Sequence, residues 1–271
     1  MPKVRANGVD LHYELTGVGD PLVLVHGSWA DHTHWDLVRP PLAEHYRVLV
    51  YDRRGHSRSE RPPGPGSRTD DEDDLAALVQ ALDLAPAHIA GNSFGASTAL
   101  GLAVRRPELF RTLIAHEPPL MAIVPPEPDL LPVMRAVERR IDSVLAHLRA
   151  GETREGARQF VDEVAFGPGT WERLPLEVRD TLLTNAPTFL DEQQDPGWPL
   201  LDLAGLSAYP GPSLLTVGTE SPPWFPAIVA RLARALPRAQ VRALTGAGHT
   251  PHVTHPAEYV RTVSGFIEAH R

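Results

Sequence analysis

Two hydrophobic patterns alternate along the first part of the chain. Short runs such as Leu22–Val25 and Val48–Val50 are apolar at every position, and amphipathic stretches follow them. A strand that is apolar at every position is buried on both faces, as in a parallel sheet covered by helices. Because such strands alternate with helices, the pattern predicts an α/β fold with a doubly wound, mostly parallel sheet.

The same patterns place the individual elements, and the alternation resumes near the end of the chain. A short stretch at Val4–Ala6 alternates like a strand. The predicted strands are Val9–Leu15, Leu22–Val25, Arg47–Tyr51, Ala87–Ala90, Arg111–Ala115, Ser213–Val217 and Gln240–Leu244. The predicted helices of this part are His34–His45, Asp70–Leu82, Ser93–Arg105, Trp224–Leu236 and Pro256–His270.

Almost a hundred residues separate the strand ending at Ala115 from the strand beginning at Ser213. A parallel crossover needs only about a dozen residues, so this segment is an insertion. It is predicted to be all-helical, a cap of residues 119–206 over the carboxyl ends of the strands, with residues 1–118 and 207–271 forming the core domain. The alternative is a helical addition to the core. The insertion contains three predicted helical stretches. The first is amphipathic, with apolar residues at Leu130, Met134, Val137, Ile141, Val144 and Leu148. The other two are Thr153–Val164 and Leu176–Leu183.

Composition narrows the class of protein. The 271 residues are 42% hydrophobic and 22% charged, as in a globular protein. The net charge of −8 disfavours a nucleic-acid partner. No apolar stretch reaches the roughly 18 residues of a membrane span, and residues 1–15 lack the pattern of a secretory signal. We therefore expect a cytoplasmic monomer or homodimer without a membrane partner.

The sequence Gly91-Asn92-Ser93-Phe94-Gly95 carries the strongest chemical signal. It follows a predicted strand and precedes a helix of small residues. In a G-x-S-x-G turn the serine occupies a strained position that exposes its hydroxyl above the sheet, and the glycines let strand and helix approach. The chain has no cysteine, so a cysteine nucleophile and thiolate metal sites are excluded. Ser93 is therefore the candidate nucleophile; the alternative is a glycine-rich turn with an incidental serine.

With this motif the chain resembles the α/β-hydrolase superfamily over nearly its whole length, in the branch of lid-bearing esterases and lactonases with a serine nucleophile. The resemblance implies eight mostly parallel strands, with an all-helical lid between strands six and seven. It also implies that Ser57 replaces a glycine of the family pattern. The further matching segments are Val23–Trp29 with its His-Gly turn, Asp52–Ser59, Leu214–Gly218 and Gly246–His249.

The resemblance also assigns a base. His249 follows the last predicted strand, and serine before histidine is the family's order along the chain. A serine hydroxyl becomes a strong nucleophile when an imidazole takes its proton. His249, His252 and His255 are spaced like a metal-binding helix face, but Pro251 and the proline after His255 disfavour a helix through them. We predict neither a metal site nor a cofactor, because no dinucleotide or phosphate-binding loop is present.

The triad acid departs from the family pattern. The family usually has aspartate three residues after the strand-seven glycine, and this chain has Ser221 there. Two carboxylates remain, Glu117 after strand six and Glu220 beside Ser221. We favour Glu117, because strand six neighbours the strand that carries Ser93, and haloalkane dehalogenases and a mycotoxin lactonase resemble this arrangement. The other reading of Glu117 is a carboxylate that caps a helix or holds the lid, and that of Glu220 is a solvated turn residue.

The remaining site residues are predicted from their roles. An oxyanion hole needs two backbone N–H donors, which the resemblance assigns to Phe94 and Ser28. The three arginines Arg53, Arg54 and Arg58 are interpreted as solvated turn charges. Apolar side chains that could line a pocket, or belong to the core, are Trp29, Phe94, Trp198, Trp224 and Phe225.

The predicted function is a serine hydrolase that cleaves a small hydrophobic ester or lactone through an acyl-enzyme. The alternatives are a ligand-binding protein or a lyase or cyclase on the same scaffold, or a carbon–carbon bond hydrolase. The missing aspartate at position 221 supports the binding protein and lowers the expectation of a carbon–carbon bond hydrolase.

Overall fold

The computed structural model describes residues 2–271 and contains an eight-stranded sheet in the order β1-β2-β4-β3-β5-β6-β7-β8. Strand β2 is antiparallel to β1 and to β4, and the other neighbouring strands are parallel. The strands are β1 (Lys3–Ala6), β2 (Val9–Thr16), β3 (Asp20–Val25), β4 (Tyr46–Tyr51), β5 (Ala87–Asn92), β6 (Phe110–His116), β7 (Ser213–Gly218) and β8 (Ala239–Leu244). This confirms the predicted α/β fold with its eight mostly parallel strands.

Helices cover both faces of the sheet, and further helices lie in the segment between β6 and β7. They are α1 (Arg39–Ala43), α2 (Arg68–Ala81), α3 (Phe94–Arg105), α4 (Leu131–Arg149), α5 (Thr153–Gln159), α6 (Thr170–Arg173), α7 (Leu176–Gln194), α8 (Leu203–Leu206), α9 (Trp224–Ala235), α10 (Pro251–Thr254) and α11 (Pro256–Glu268). No helix within residues 2–271 is long and apolar enough to cross a bilayer.

Strand β3 shows why its sequence is apolar at every position. Val23 and Val25 lie in the apolar cluster on one face of the sheet, and Leu22 and Leu24 lie in the cluster on the other face. Successive side chains of a strand point to opposite faces, so a strand between two helical layers buries all of them. Each buried side chain of this kind contributes about 1.5–3 kcal/mol, and β3 therefore holds the centre of the molecule in place.

One predicted helix is wrong. Instead of a helix over His34–His45, the chain forms a 3-10 turn at His32–Trp35 and then the short helix α1. Pro40 and Pro41 follow Arg39, the first residue of α1. Proline lacks the N–H that an interior helical residue donates and is tolerated in the first turn, so a helix can begin at Arg39 but cannot run through it.

The segment between β6 and β7 contains five helices, α4 to α8, and its middle part forms an apolar cluster that also includes Trp29 of the turn after β3. Helix α5 ends at Gln159 and a π-helical turn, Phe160–Ala165, replaces the rest of the predicted helix. Helix α7 extends past the predicted end at Leu183 to Gln194, with Pro187 inside it. Both ends of the segment pack against the core sheet, since Leu120 and Leu206 belong to the cluster on one of its faces.

Candidate active site

Ser93 occupies a sharp turn between β5 and α3. Its backbone angles, φ 56° and ψ −125°, lie in a strained region for a residue other than glycine. A Cβ atom at Gly91 would overlap the Gly95 carbonyl oxygen, and one at Gly95 would overlap the Val25 carbonyl oxygen. The turn therefore requires glycine on both sides of Ser93, and the half-buried serine lies at the N-terminus of α3.

The turn after β3 lies directly against Ser93. A Cβ atom at Gly27 would be 2.8 Å from the Ser93 Cβ atom, so only glycine fits there. The buried His26 ring fixes this turn, because its Nε2 accepts from the Arg53 N–H at 3.0 Å and its Nδ1 lies 2.8 Å from the Gly27 carbonyl oxygen. Burial lowers the pKa of His26 well below its usual value, so the ring stays neutral and Nε2 can accept.

Two free N–H groups lie in the two segments that meet at Ser93. Phe94 is the first residue of α3, so its N–H has no acceptor within the helix. Within residues 2–271, the Ser28 N–H has no hydrogen-bond acceptor in the protein either. The structure thus brings together, at the turn around Ser93, the two segments that carry the predicted oxyanion-hole donors.

Glu117 lies beside His249, although 132 positions separate them in the sequence. Its Oε2 atom is 2.8 Å from His249 Nδ1, and its Oε1 atom accepts from the Gly218 N–H at 2.8 Å. Glu117 follows β6, is 0% exposed and has a left-handed backbone with φ 47°. Burial raises the pKa of Glu117, but the hydrogen bond from His249 and the charges of the neighbouring histidines outweigh it, so the pKa lies below its usual value. The carboxylate is therefore ionised at neutral pH.

The other candidate acid lies elsewhere. Glu220 is exposed, and its side chain forms no hydrogen bond in the described part of the chain, residues 2–271. Ser221, at the family's usual aspartate position, lies near the Glu117 carboxylate and helps to lower its pKa. The geometry therefore places one carboxylate, Glu117, in contact with the histidine that the sequence singles out.

His249 is held from two sides. The Asn92 side-chain amide donates to the His249 carbonyl oxygen at 2.9 Å, which ties this loop to the residue before Ser93. The Phe225 ring stacks on the imidazole with ring centres 4.9 Å apart. No hydrogen bond joins the Ser93 hydroxyl to His249 within residues 2–271, and such bonds in substrate-free enzymes are often long until substrate binds. The three predicted residues Ser93, His249 and Glu117 thus follow the carboxyl ends of β5, β8 and β6, at the same edge of the sheet.

A buried ionic cluster beside this site was missed by sequence reasoning. The interpretation of Arg53 as a solvated charge is wrong, because it is 0% exposed, contacts Asp71 at 3.1 Å and forms a hydrogen-bonded ion pair with Glu192. Its guanidinium lies 4.6 Å from the centre of the Phe94 ring. Glu192 of helix α7 accepts from the Ser28 hydroxyl at 2.5 Å. The sequence signal for this cluster is the spacing of Asn185, Phe189 and Glu192 at intervals of four and three, which places all three on one face of a helix.

Histidines and carboxylates also meet behind the turns that follow β3 and β4. Potential metal-ligating atoms lie within 4.8 Å of one another in two overlapping groups, one with His12, Glu14 and His32, the other with Asp31, His32 and Asp52. Their carboxylates have protein partners: Asp52 accepts from the His32 N–H at 2.9 Å, and Glu14 pairs with Arg39. These contacts connect β2, the turn after β3 and β4.

The buried Glu192 predicts a pH dependence of stability. Burial raises its pKa to about 7 from the usual 4.5, although Arg53 and the Ser28 hydroxyl oppose the shift. Between these values the folded state holds a proton that the unfolded state has released, so this group makes the free energy of unfolding fall as pH rises. We expect the stability of the wild type relative to Glu192→Gln to decrease between about pH 5 and about pH 8, measured by urea unfolding.

Asp71, on the other side of Arg53, is retained in both proteins. Burial raises its pKa to about 6. Its charge also helps to raise the pKa of Glu192, so the comparison measures Glu192 together with this interaction. A difference in stability between wild type and Glu192→Gln that stays constant over this pH range would contradict the prediction.

Comparison with known proteins agrees with the fold. A family model described as the alpha/beta hydrolase family matches residues 22–262. The chain is 38% identical over 123 residues to the hydrolase YraK of Bacillus subtilis, a match that covers 45% of each chain. This match and two others cover 41–45% of the relatives' own length, so the chain spans less than half of those proteins.

Other similarities extend over the whole chain. It is 26% identical over 273 residues to the zearalenone hydrolase of Bionectria ochroleuca, covering 97% of this chain and 96% of that protein. The crystal structure of the enol-lactonase from Burkholderia xenovorans LB400 superimposes with a TM-score of 0.73 and 26% identity, covering 98% and 100% of the two chains. Together with the family match over most of its length, these similarities show that the chain belongs to the alpha/beta hydrolase family.

Proposed function

We propose that the protein is a serine hydrolase that cleaves a small hydrophobic ester or lactone through an acyl-enzyme. Ser93 is the nucleophile, His249 the general base and Glu117 the triad acid. The observation that carries the proposal is the 2.8 Å contact between Glu117 and His249 Nδ1, in a chain that has serine at the family's usual acid position. A serine–histidine pair needs a carboxylate that orients the imidazole and stabilises its cation, and Glu117 supplies one from β6.

The proposed reaction has two steps. The Ser93 Oγ atom attacks the carbonyl carbon while His249 Nε2 takes its proton, and the N–H groups of Ser28 and Phe94 stabilise the oxyanion. Collapse of the tetrahedral intermediate transfers that proton to the alcohol, which leaves from an ester or stays attached at the far end of an opened lactone. His249 then activates a water that hydrolyses the acyl-enzyme, and the product acid departs.

The surroundings of the site support an apolar substrate. Phe225 stacks on His249, and the Trp198 ring lies 6.4 Å from the Phe94 ring. One structural relative that matches nearly the whole chain is named an enol-lactonase, which supports a lactone as one substrate type. We propose that residues 119–206 form a cap over this site, because the helices inserted after β6 reach Ser28 and Trp29 beside the nucleophile.

The proposal is tested with a panel of acyl esters of graded chain length and of five- and six-membered lactones. We expect turnover of at least one group, with release of one acid per substrate, and a pre-steady-state burst with activated esters. Ser93→Ala measured beside the wild type is the control for hydrolysis that does not use the site. Absence of turnover above Ser93→Ala for the whole panel would contradict the proposed function.

A further inference from the structure

The turn at residues 28–30 is held by the inserted segment rather than by the core sheet alone. Trp29 has a left-handed backbone, with φ 66°, which a tryptophan adopts only when its surroundings impose it. Its ring is fully buried between Phe160 and Phe189, with ring centres 4.9 Å and 5.0 Å away. Both of these phenylalanines belong to the insertion, so the insertion stabilises an otherwise unfavourable turn.

Helix α7 contacts each residue of that turn. The Ser28 hydroxyl donates to Glu192 at 2.5 Å. The Asn185 side-chain amide donates to the carbonyl oxygens of Trp29 and Ala30, at 3.3 Å and 2.9 Å. Because residues at intervals of four and three share one face of a helix, Asn185, Phe189 and Glu192 act on the turn together.

The same face of α7 is fixed to the core, so it cannot move independently of the site. Glu192 pairs with the buried Arg53, whose guanidinium lies over the Phe94 ring. The Thr188 Oγ1 atom lies 2.9 Å from His56 Nε2, and the Asn185 side-chain oxygen Oδ1 accepts from the Ser57 N–H at 2.7 Å. Glu192 thus contacts the Ser28 side of the proposed oxyanion hole directly and its Phe94 side through Arg53.

We propose that Glu192 of helix α7 is a positioning residue for the oxyanion hole: its hydrogen bond to the Ser28 hydroxyl sets the direction of the Ser28 N–H. This inference rests on the proposed function and adds a role for the cap in the chemical step. Displacement of α7 would release Ser28, Trp29 and Ala30 together, so full oxyanion stabilisation requires the docked cap. Misplacing a catalytic group by about 1 Å can slow the chemistry by about 10²-fold.

The primary test is Ser28→Ala, because it removes the hydroxyl and leaves the backbone N–H and the buried Arg53–Glu192 pair in place. We expect kcat for ester hydrolysis to fall about tenfold with KM changed less than about twofold. The affinity for a trifluoromethyl ketone, which forms a charged tetrahedral adduct, should fall by a similar factor. Glu192→Gln retains an oxygen that can accept from Ser28, so it should lose less of both kcat and inhibitor affinity than Ser28→Ala.

Asp191→Asn is the matched control. Asp191 is the neighbour of Glu192 in the sequence and forms an ion pair of 2.6 Å with Arg61 of the core. The substitution removes this ion pair without changing a contact of the turn. We expect it to keep the wild-type kcat and inhibitor affinity. Wild-type values in Ser28→Ala, an effect on KM alone, or an equal loss in Asp191→Asn would overturn the positioning role. A wild type that hydrolyses no ester and reacts with no fluorophosphonate would overturn the proposed function, and the positioning role with it.

Discussion

Replacing Ser93 with alanine is expected to lower kcat/KM for ester or lactone hydrolysis by at least about 10⁴-fold. The substitution removes the hydroxyl that attacks the carbonyl and leaves the free N–H groups beside it, so the residual rate is that of the oxyanion hole and binding alone. Steady-state kinetics on the best substrate of the panel measures the effect. The melting temperature should change little, because alanine fits the half-buried position.

Ser97→Ala is the matched control for this comparison. Ser97 lies one turn further along α3, is fully buried, and its hydroxyl has no hydrogen-bond partner within residues 2–271. Its loss should leave kcat/KM within about twofold of the wild type. Retention of activity in Ser93→Ala, on a substrate that wild type hydrolyses, would contradict the acyl-enzyme and favour a lyase or cyclase on the same scaffold.

Replacing Glu117 with glutamine is expected to lower kcat by about 10⁴-fold, with the fold retained. The amide occupies the same volume but cannot stabilise the imidazolium that forms when His249 takes the Ser93 proton. Glu220→Gln is the control, because Glu220 is exposed and makes no side-chain hydrogen bond within residues 2–271. It should keep wild-type kcat.

A second substitution separates loss of charge from damage to the site. Ser221 lies close to Glu117, at the position where the family usually has its aspartate. Ser221→Asp in the Glu117→Gln background should return part of the lost kcat, since it restores a carboxylate near His249 Nδ1. A fall in kcat in Glu220→Gln equal to that in Glu117→Gln would contradict the assignment of the acid.

The core sheet could be predicted from sequence because its strands are buried on both faces. A run such as Leu22–Val25 is too short for a buried helix and fits a strand between two helical layers. The structure confirms each predicted strand to within two residues at either end. Helix boundaries were less certain where proline intervened. Pro40 and Pro41 start a new helix at α1, whereas Pro187 lies within α7 without ending it.

The site also contains residues that the sequence predicts and residues that it does not. Ser93 and His249 are identified by local patterns, and the position of Glu117 after β6 follows from strand adjacency, although the sequence left Glu220 open. The cluster of Arg53, Ser28 and Glu192 has no local signature, because Ser28 and Glu192 are 164 residues apart and meet only when the segment between β6 and β7 packs on the core. Burial of Arg53 depends on this tertiary contact, so the sequence around Arg53 gives no sign of it.

The most direct test of the account is intact-mass analysis after exposure to a fluorophosphonate. We predict one covalent adduct per chain in the wild type and none in Ser93→Ala. Labelling should be slowed strongly in Glu117→Gln and unchanged in Glu220→Gln, because the reagent reports a serine activated by an oriented histidine. A folded wild type without an adduct, or equal labelling rates in wild type and Glu117→Gln, would contradict the claim that Glu117 completes a working triad with Ser93 and His249.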